Sequence, residues 1–269
     1  MESNTRQGTE DAGNSIIKTN LNYYNALYRK QNQALLLLHA LISFDQQSKA
    51  RPIRQILGPI LNSLTKNGLE ARMLDYGCGW GALFLLLPRR PLRLCYYDIS
   101  LEAMNNVGKL MELTGRNSEA VKVDHCGNLQ AAPFDVIVCS HVLEHVPDDY
   151  GLLKSLCAAL KPNGYLLLNV PINEVWVDPK HIRKYDPILL KKFIAESGFR
   201  VVLEQQADRW TDLLLTHEVR LGFSWGVKII FKALRAALAI TPYKVCLLGE
   251  RLFCSRYSPQ QYIVVARKV

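Results

Sequence analysis

The sequence has no long apolar segment and no paired-cysteine motif. Its longest uncharged apolar run near the start, Ala34 to Phe44, is too short to span a bilayer, and residues 1–18 lack an apolar signal region. The seven cysteines are odd in number, and none forms a C-x-x-C motif. These absences argue against a membrane span, a disulfide framework and a zinc ribbon. They predict a cytoplasmic protein with reduced core thiols and no metal.

Internal repeats and low-complexity tracts are also missing, while 49% of the 269 residues are hydrophobic. A chain of this size and composition can bury a full core. We therefore expect a disordered lead over residues 1–18, an N-terminal helical cap over 19–66 and a main domain over 67–269. Within that domain we expect a helical insertion at about 208–256.

The net charge of +9 is unevenly distributed. From Val219 to Arg256 there are seven Lys and Arg residues against one Glu, which is a surplus of six. A basic segment of this kind favours an acidic acceptor, an anionic membrane surface or a nucleic acid as partner, or it is only a solvated basic face. Nucleic acid ranks last, because no recognition motif accompanies the charge.

The most informative stretch is L-D-Y-G-C-G-W-G, in which a short apolar strand runs into three alternating glycines. Glycine permits a tight turn and lets a ligand approach the backbone. Where a helix begins, unpaired N–H groups favour a negatively charged group. Strand, glycine turn and helix together predict the nucleotide-binding corner of a doubly wound α/β domain.

Strands and helices alternate along the rest of the main domain. The predicted strands are 71–76, 92–97, 119–124, 134–140, 164–170, 199–205 and 261–266. The predicted helices are 19–44, 52–64, 80–87, 100–113, 149–160 and 187–197. Such alternation implies right-handed crossovers and a parallel sheet.

The glycine turn alone does not identify the nucleotide. Gly77, Gly79 and Ala82 also satisfy the G-x-G-x-x-G/A pattern of dinucleotide-binding domains. Asp98 follows twenty-one residues after the first glycine, where a carboxylate can take ribose hydroxyls. Against a dinucleotide stand Asp75, which is acidic where that pattern is usually apolar, and the roughly 70 residues ahead of the motif. A nicotinamide-dependent oxidoreductase therefore stays as the alternative.

An ordered set of segments resembles the class I S-adenosylmethionine-dependent methyltransferases, especially the group with quinone-biosynthesis and natural-product enzymes. These segments are L-D-Y-G-C-G-W-G, Y-Y-D-I-S, V-D-H-C-G-N-L, F-D-V-I-V-C-S-H-V-L-E-H-V-P-D and L-K-P-N-G-Y-L-L-L-N-V-P. The resemblance covers roughly residues 70–206 and the last strand. It implies an α/β, Rossmann-like fold with a seven-stranded, mostly parallel sheet whose last strand is antiparallel. It also implies S-adenosyl-L-methionine as the cofactor.

The resemblance assigns cofactor contacts to Tyr24, Asp75, Gly77, Gly79, Gly81, Asp98, Ile99, Asp124, His125 and Ser140. The glycines would form the floor of the site beneath the methionine and ribose portions. Asp75 would hold the methionine amino group directly or through water. Asp98 would accept hydrogen bonds from both ribose hydroxyls, and Asp124 would accept one from the adenine amino group. A carboxylate suits both roles because it only accepts hydrogen bonds. Ser140 would face the sulfonium. Tyr24, on the leading helix, either contacts the methionine carboxylate or acceptor, or only packs.

Candidate catalytic residues follow the fourth predicted strand, at the sheet edge where ligands of such folds bind. His141 is the first candidate for a general base. The L-E-H at 143–145 recurs in the resembled group where no base is needed, so His145 either acts as a base or holds the loop. Acceptor-facing candidates are Asn169, Glu174, His181, Tyr185 and Trp210. The Asp/Asn-Pro-Pro-Tyr motif of enzymes that methylate exocyclic amines of bases is absent.

The insertion contains an amphipathic basic helix. Its apolar residues are Val227, Ile230, Phe231, Leu234 and Leu238, and its basic residues are Lys228, Lys232 and Arg235. We expect either a lid over the acceptor side, with Trp210, Phe223, Trp225 and Phe231 lining an apolar pocket, or peripheral membrane contact through 227–238. The function predicted is methyl transfer to a small molecule that is natural-product-like or quinone- or lipid-like, and amphiphilic or acidic. A non-catalytic domain that docks through its basic helix is the other alternative.

Overall fold

The computed structural model describes residues 18–29, 33–123, 129–130, 133–174, 178–222 and 224–269. Apart from Lys18, the predicted disordered lead lies outside these residues. Helices α1 to α10 cover 18–28, Gln33–Ile42, Phe44–Leu64, Ala82–Leu86, Leu101–Leu113, Asp149–Ala159, Pro187–Glu196, Trp210–Leu221, Trp225–Ile240 and Tyr243–Phe253. Strands β1 to β9 cover Ala71–Tyr76, Leu92–Tyr97, Ser118–Ala120, Lys122–Val123, Leu129–Gln130, Phe134–Ser140, Leu160–Pro171, Phe199–Ala207 and Gln261–Lys268.

A seven-stranded sheet forms the centre of the molecule, in the order β3-β2-β1-β6-β7-β9-β8. β9 pairs antiparallel with both β7 and β8, and the other pairings are parallel. This arrangement confirms the predicted fold, including the reversed last strand. The strand predicted at 119–124 is interrupted, because β3 joins the large sheet whereas β4 pairs with β5.

The central strands are buried on both faces, as expected of a parallel sheet between helices. Along β1, Met73 packs into a core with α3, α4 and α5, while its neighbour Leu74 packs into a second core with α6 and α7. The six described cysteines are not disulfide-bonded, and five of them are buried. None of the described helices is both long enough and apolar enough to cross a bilayer.

The cap differs from its prediction at Pro52. We expected a helix to begin there, but α3 runs from Phe44 through Pro52 and Pro59 to Leu64. Pro52 lacks the N–H that the Ser48 carbonyl would accept from, and a proline inside a helix is costly for this reason. Instead, the Gln261 side chain donates to that carbonyl at 3.3 Å. Packing and this substitute donor keep the helix continuous.

The helix after the glycine turn is shorter than predicted. It covers only Ala82–Leu86, since Gly81 precedes it in the left-handed conformation. The described turn also has little room for side chains. Gly77 has a φ of +84°, and a Cβ placed on it would lie 2.1 Å from Val142 Cγ2.

The insertion consists of α8, α9 and α10. α9 packs against α2, α3 and α8. The expectation that the insertion lies over the acceptor side of the sheet is therefore wrong for α9, which covers the outside of the N-terminal cap. The pattern of basic and apolar residues could predict a helix here, but not the neighbour that it packs on.

Replacing Gly77 by Ala should destabilise the fold by about 2 kcal/mol or more, because the substitution combines a left-handed φ with a clash. The matched control is Gly58→Ala, in α3, where a Cβ meets nothing within 4 Å. That change should stabilise the protein by about 0.5–1 kcal/mol. Urea unfolding measures both, and equal effects of the two substitutions would contradict the account of the turn.

Candidate functional site

A cleft of about 520 Å³ opens at the carboxyl ends of β1, β2 and β6. Helix α1 and the first turns of α3 line its other side, so the cap forms one of its walls. Among the predicted site residues, the cleft is lined by Tyr24, Asp75, Gly77, Gly79, Asp98, Ile99, Ser140, His141, His145 and His181. The position matches the ligand crevice of open α/β sheets.

Four backbone N–H groups of the glycine turn already donate within the protein. Gly77 and Cys78 both donate to the Tyr97 carbonyl, at 2.8 and 3.0 Å. Gly79 donates to Asp98 Oδ2 at 3.0 Å, and Gly81 donates to the Cys78 carbonyl at 2.8 Å. The turn consequently offers no row of free donors to a phosphate, and the five-residue α4 offers no extended helix N-terminus.

Two carboxylates are buried beneath this turn, Asp75 and Asp98. Asp98 accepts hydrogen bonds from the Gly79 and Ser100 backbone N–H groups, which offset part of the effect of burial; burial still raises its pKa above the ordinary value. Burial and the nearby Asp98 carboxylate raise the pKa of Asp75 to about 8. Neither carboxylate forms a described salt bridge. Both would be stabilised as anions by a cationic ligand or by hydroxyl donors.

The described lining of the cleft is more acidic than basic. Its charged residues are Asp45, Asp75, Asp98, Asp178, Lys49 and Lys180. Both lysines are already engaged, because Lys49 lies 2.9 Å from Asp45 and Lys180 lies 2.8 Å from Asp178. No arginine is among the described lining residues. Since Asp75 has a pKa of about 8 and the other two aspartates are paired with lysines, Asp98 is the one unpaired anion among the described lining residues at neutral pH. A cationic ligand suits this site better than a diphosphate does.

His141 is held at the edge of the cleft by its neighbours. Its backbone has a φ of +54° and donates to the Asn169 carbonyl at 2.8 Å. Its Nδ1 lies 3.4 Å from Glu144 Oε1, and its Nε2 is buried without a hydrogen-bond partner. Because a carboxylate attracts the N–H of an imidazole, the favoured tautomer has the proton on Nδ1. The free lone pair of Nε2 can then accept a proton from a ligand.

Glu144 is fully buried and was not among the predicted site residues. Burial favours its protonated form, but the imidazoles of His141 and His145 outweigh burial and hold the pKa of Glu144 below its ordinary value. A buried anion beside an imidazole stabilises the protonated ring. Glu144 can thus support His141 as a base. Its spacing of three residues from His141 was the signal in the sequence that could have identified it.

His145 uses both ring nitrogens within the protein. Nδ1 lies 3.1 Å from the Lys180 carbonyl, which can only accept, so this nitrogen carries the proton. Nε2 then accepts from the Tyr24 hydroxyl at 3.3 Å. Burial lowers the pKa of His145. These contacts join helix α1 to the loop before α7, which favours the loop-holding interpretation of His145 over the base.

His181 completes a cluster around the same carboxylate. Its Nδ1 lies 2.6 Å from Glu174 Oε1, and its Nε2 lies 4.0 Å from Glu144 Oε1. Ligand atoms of Glu144, His145 and His181 all lie within 4.8 Å of one another, so this group could hold a metal ion. The sequence analysis predicted no metal and did not anticipate this juxtaposition, because His181 is distant in the chain.

Several predicted site residues lie outside the cleft lining. Asn169 donates to Ser140 Oγ at 3.2 Å and to Gln261 at 3.0 Å. Tyr185 donates to the Leu143 carbonyl at 3.1 Å, and the Trp210 indole donates to the Cys246 carbonyl at 3.1 Å. Asn169 and Tyr185 therefore support the site from behind, whereas Trp210 belongs to the insertion.

The remaining predicted residues are placed as follows. Gly81 packs on Val107 and Leu110 behind the turn, and Glu174 contacts His181 rather than the cleft. Asp124, His125 and Phe223 lie outside the described residues. Trp225 is exposed and Phe231 is buried among helices, so they do not share one pocket. The charged residues of the described cleft lining that sequence reasoning missed are Asp45, Lys49, Asp178 and Lys180.

The fold and the cleft together define a nucleoside-binding α/β domain of the Rossmann-like class. Residues 45–220 match a protein family described as "Methyltransferase domain". This is more than half of the chain, and the chain belongs to that family. The family match confirms the resemblance found in the sequence.

Relatives and solved structures agree with this assignment. The chain is 30% identical over 133 residues to a ubiquinone biosynthesis O-methyltransferase of Acinetobacter baylyi, covering 47% of this chain and 56% of the relative. A relative of the same name from Idiomarina loihiensis is 28% identical over 133 residues, covering 47% of this chain and 54% of the relative. The chain thus spans about half the length of these curated relatives.

Two solved structures share the fold. One is 1,6-didemethyltoxoflavin-N1-methyltransferase of Burkholderia thailandensis, with a TM-score of 0.52 and 17% identity, covering 84% of this chain and 80% of that chain. The other is magnesium protoporphyrin IX methyltransferase of Synechocystis PCC 6803, with a TM-score of 0.52 and 12% identity, covering 97% of this chain and 99% of that chain. At these identities the likeness is one of fold.

The raised pKa of Asp75 predicts a specific dependence of stability on pH. Its folded-state pKa is about 8 against an ordinary 3.8, so the folded state binds this proton more tightly. The contribution to stability is complete below about pH 4 and is lost as the pH rises through about 8, with a slope of at most about 1.4 kcal/mol per pH unit. Urea unfolding at pH 6 and pH 8 should show a smaller loss for Asp75→Asn than for the wild type. The exposed Glu112→Gln is the control, and equal losses in all three proteins would contradict the prediction.

Proposed function

We propose that this protein is an S-adenosyl-L-methionine-dependent methyltransferase that methylates a hydroxyl group of a small, quinone-like or lipid-like acceptor. The observation that carries the proposal is the acidic cleft at the carboxyl ends of β1, β2 and β6, with Asp98 behind the glycine turn. The cofactor is a cation with an ammonium group and a ribose diol, and both suit buried carboxylates. We also propose a cytoplasmic location.

The same geometry disfavours a nicotinamide dinucleotide. A diphosphate needs free N–H donors or arginines, whereas Gly77, Cys78, Gly79 and Gly81 donate within the protein and no described lining residue is an arginine. A calorimetric titration separates the two cofactors. Binding of S-adenosylhomocysteine without binding of NADH supports the proposal, and the reverse result contradicts it.

When bound, S-adenosyl-L-methionine would supply a methyl group that is already activated on a sulfonium. Asp75 would hold the ammonium group and Asp98 would accept hydrogen bonds from the ribose hydroxyls, while Ser140 would face the reacting end. His141 Nε2 would take the proton of the acceptor hydroxyl, and Glu144 would stabilise the imidazolium that results. The cap residue Tyr24, whose hydroxyl is hydrogen-bonded to His145, would help to exclude water from the cleft.

The acceptor is best described by the walls of the cleft. Tyr23, Tyr24, Tyr28, Tyr76 and Tyr97 line it, and such aromatic side chains suit a planar ring. Both lining lysines are paired with carboxylates, so the cleft does not require an acidic acceptor. The relatives named for ubiquinone biosynthesis support an aromatic hydroxyl as the group methylated.

Asp98→Ala should weaken S-adenosylhomocysteine binding by about 2 kcal/mol or more, because charge-assisted hydrogen bonds to the ribose are lost. Isothermal titration calorimetry provides the measurement. Glu102→Ala, in the first turn of α5 and outside the described cleft lining, is the control and should leave the affinity unchanged. An affinity that Asp98→Ala does not alter would remove Asp98 from the cofactor site.

His141→Ala should reduce turnover about 100-fold or more, as expected for loss of a general base, while cofactor affinity stays nearly unchanged. Glu144→Gln should reduce turnover less. Transfer of a labelled methyl group to a panel of hydroxylated aromatic compounds measures the rates. His217→Ala, which removes a side chain outside the described cleft lining, is the control.

Undiminished turnover in His141→Ala would eliminate this residue as the base. A chelator should also leave the wild-type rate unchanged. Loss of activity on chelation, with recovery on adding a divalent metal, would assign the Glu144 cluster to metal binding instead.

A further inference from the structure

Helix α9 carries an apolar face that no described part of the chain covers. Phe231 and Ala239 are buried against the cap, and the positions opposite Phe231 on the helix are Ile229, Ala233, Ala236 and Ile240. Trp225 is 81% exposed and Ile240 is 70% exposed. A surface helix normally turns charged residues toward the solvent. The solvent-facing side of α9 opposite Phe231 is apolar instead.

The neighbouring helices also expose apolar side chains. α10 follows directly after α9 and exposes Val245, Leu248, Leu252 and Phe253. α2, which packs against α9, exposes Leu35, Leu38, Leu41 and Ile42. We call the exposed apolar side chains of α9 and α10 the α9–α10 surface. Single exposed apolar residues are ordinary, but thirteen large ones on α2, α9 and α10 indicate a binding surface.

Positive charge accompanies this surface. Lys232 of α9 and Lys244 and Arg251 of α10 are exposed. The only acidic residue between Val219 and Arg256 is Glu250, which is half-buried and accepts from the Arg209 backbone N–H at 3.0 Å. The combination of exposed aliphatic and tryptophan side chains with basic neighbours is what an interfacial amphipathic helix presents to lipid.

We propose that the α9–α10 surface docks on an anionic lipid bilayer, with Trp225, Ile229 and Ile240 entering the interface between headgroups and acyl chains. Charge complementarity selects this occupant. A second copy of the chain would bring the same basic residues face to face, because a two-fold interface pairs each patch with itself. A nucleic acid would leave the aliphatic side chains in water.

Vesicle co-sedimentation tests the proposal with the full chain. The wild type should bind vesicles of equal parts phosphatidylcholine and phosphatidylglycerol, bind pure phosphatidylcholine more weakly, and release from anionic vesicles as salt rises. The triple variant Trp225→Glu, Ile229→Glu, Ile240→Glu should bind at least about tenfold more weakly. Lys232→Glu with Lys244→Glu should bind at least about fivefold more weakly per lysine.

The matched controls remove the same kinds of residue elsewhere. Ile188→Glu with Leu189→Glu changes two exposed apolar residues of α7, and Lys109→Glu changes an exposed lysine of α5. Both control proteins should bind vesicles like the wild type. All variants should keep their affinity for S-adenosylhomocysteine in solution, so folding is checked independently. That titration also separates a failure of docking from a failure of the proposed function.

Three results would overturn the proposal. The wild type could fail to bind anionic vesicles, or the triple variant could bind them as well as the wild type. The wild type could also elute as a dimer that the triple variant dissolves without any vesicle binding, which would make the surface an interface between copies of the chain.

Discussion

The burial of two carboxylates under one glycine turn is the constraint on which the site depends. Removing a carboxylate from water is costly unless hydrogen bonds or a cation compensate it. Asp98 has compensation in the backbone N–H groups of Gly79 and Ser100, and these bonds also fix the shape of the turn. Asp75 has no such bonds, and its high pKa expresses that deficit. Ionising Asp75 at the carboxyl edge of the sheet is therefore unfavourable in the unliganded protein, and a bound cation would reduce this cost.

The other half of the site is held by interactions from behind. In the 3₁₀ turn over Leu143–His145, the Glu144 carbonyl accepts from the Ile182 N–H at 2.8 Å. Tyr185 fixes the neighbouring carbonyl of Leu143, and Asn169 fixes both Ser140 and the His141 backbone. Asn169 and Tyr185, which we expected to face the acceptor, therefore lie behind His141 and help to orient it. Preorganisation of this kind is what an aligned transfer reaction requires.

Local signals in the sequence predicted the parts of the structure that depend on local chemistry. The bounds of β1, β2 and β6 agree with their apolar runs, and the glycine turn and Asp98 lie where the motif puts them. What the sequence did not reveal depends on contacts between distant segments. Pro52 lies inside α3, where Gln261 of the last strand donates to the Ser48 carbonyl that the proline leaves without its helical donor. The cluster at Glu144 needs His181 from beyond β7, and no spacing in the chain encodes that approach.

Helix α3 connects the cleft to the α9–α10 surface. Lys49 lines the cleft, and two residues later Arg51 donates to the Leu238 carbonyl of α9 at 3.0 Å. Both residues belong to one helix with several buried side chains, so the same helix forms a wall of the cleft and packs on α9. A bilayer under α9 would accordingly lie close to the cap that borders the cleft. An amphiphilic acceptor could then present its ring to His141 while its apolar part stays near lipid, so the exposed helix and the small aromatic cleft suit the same class of substrate.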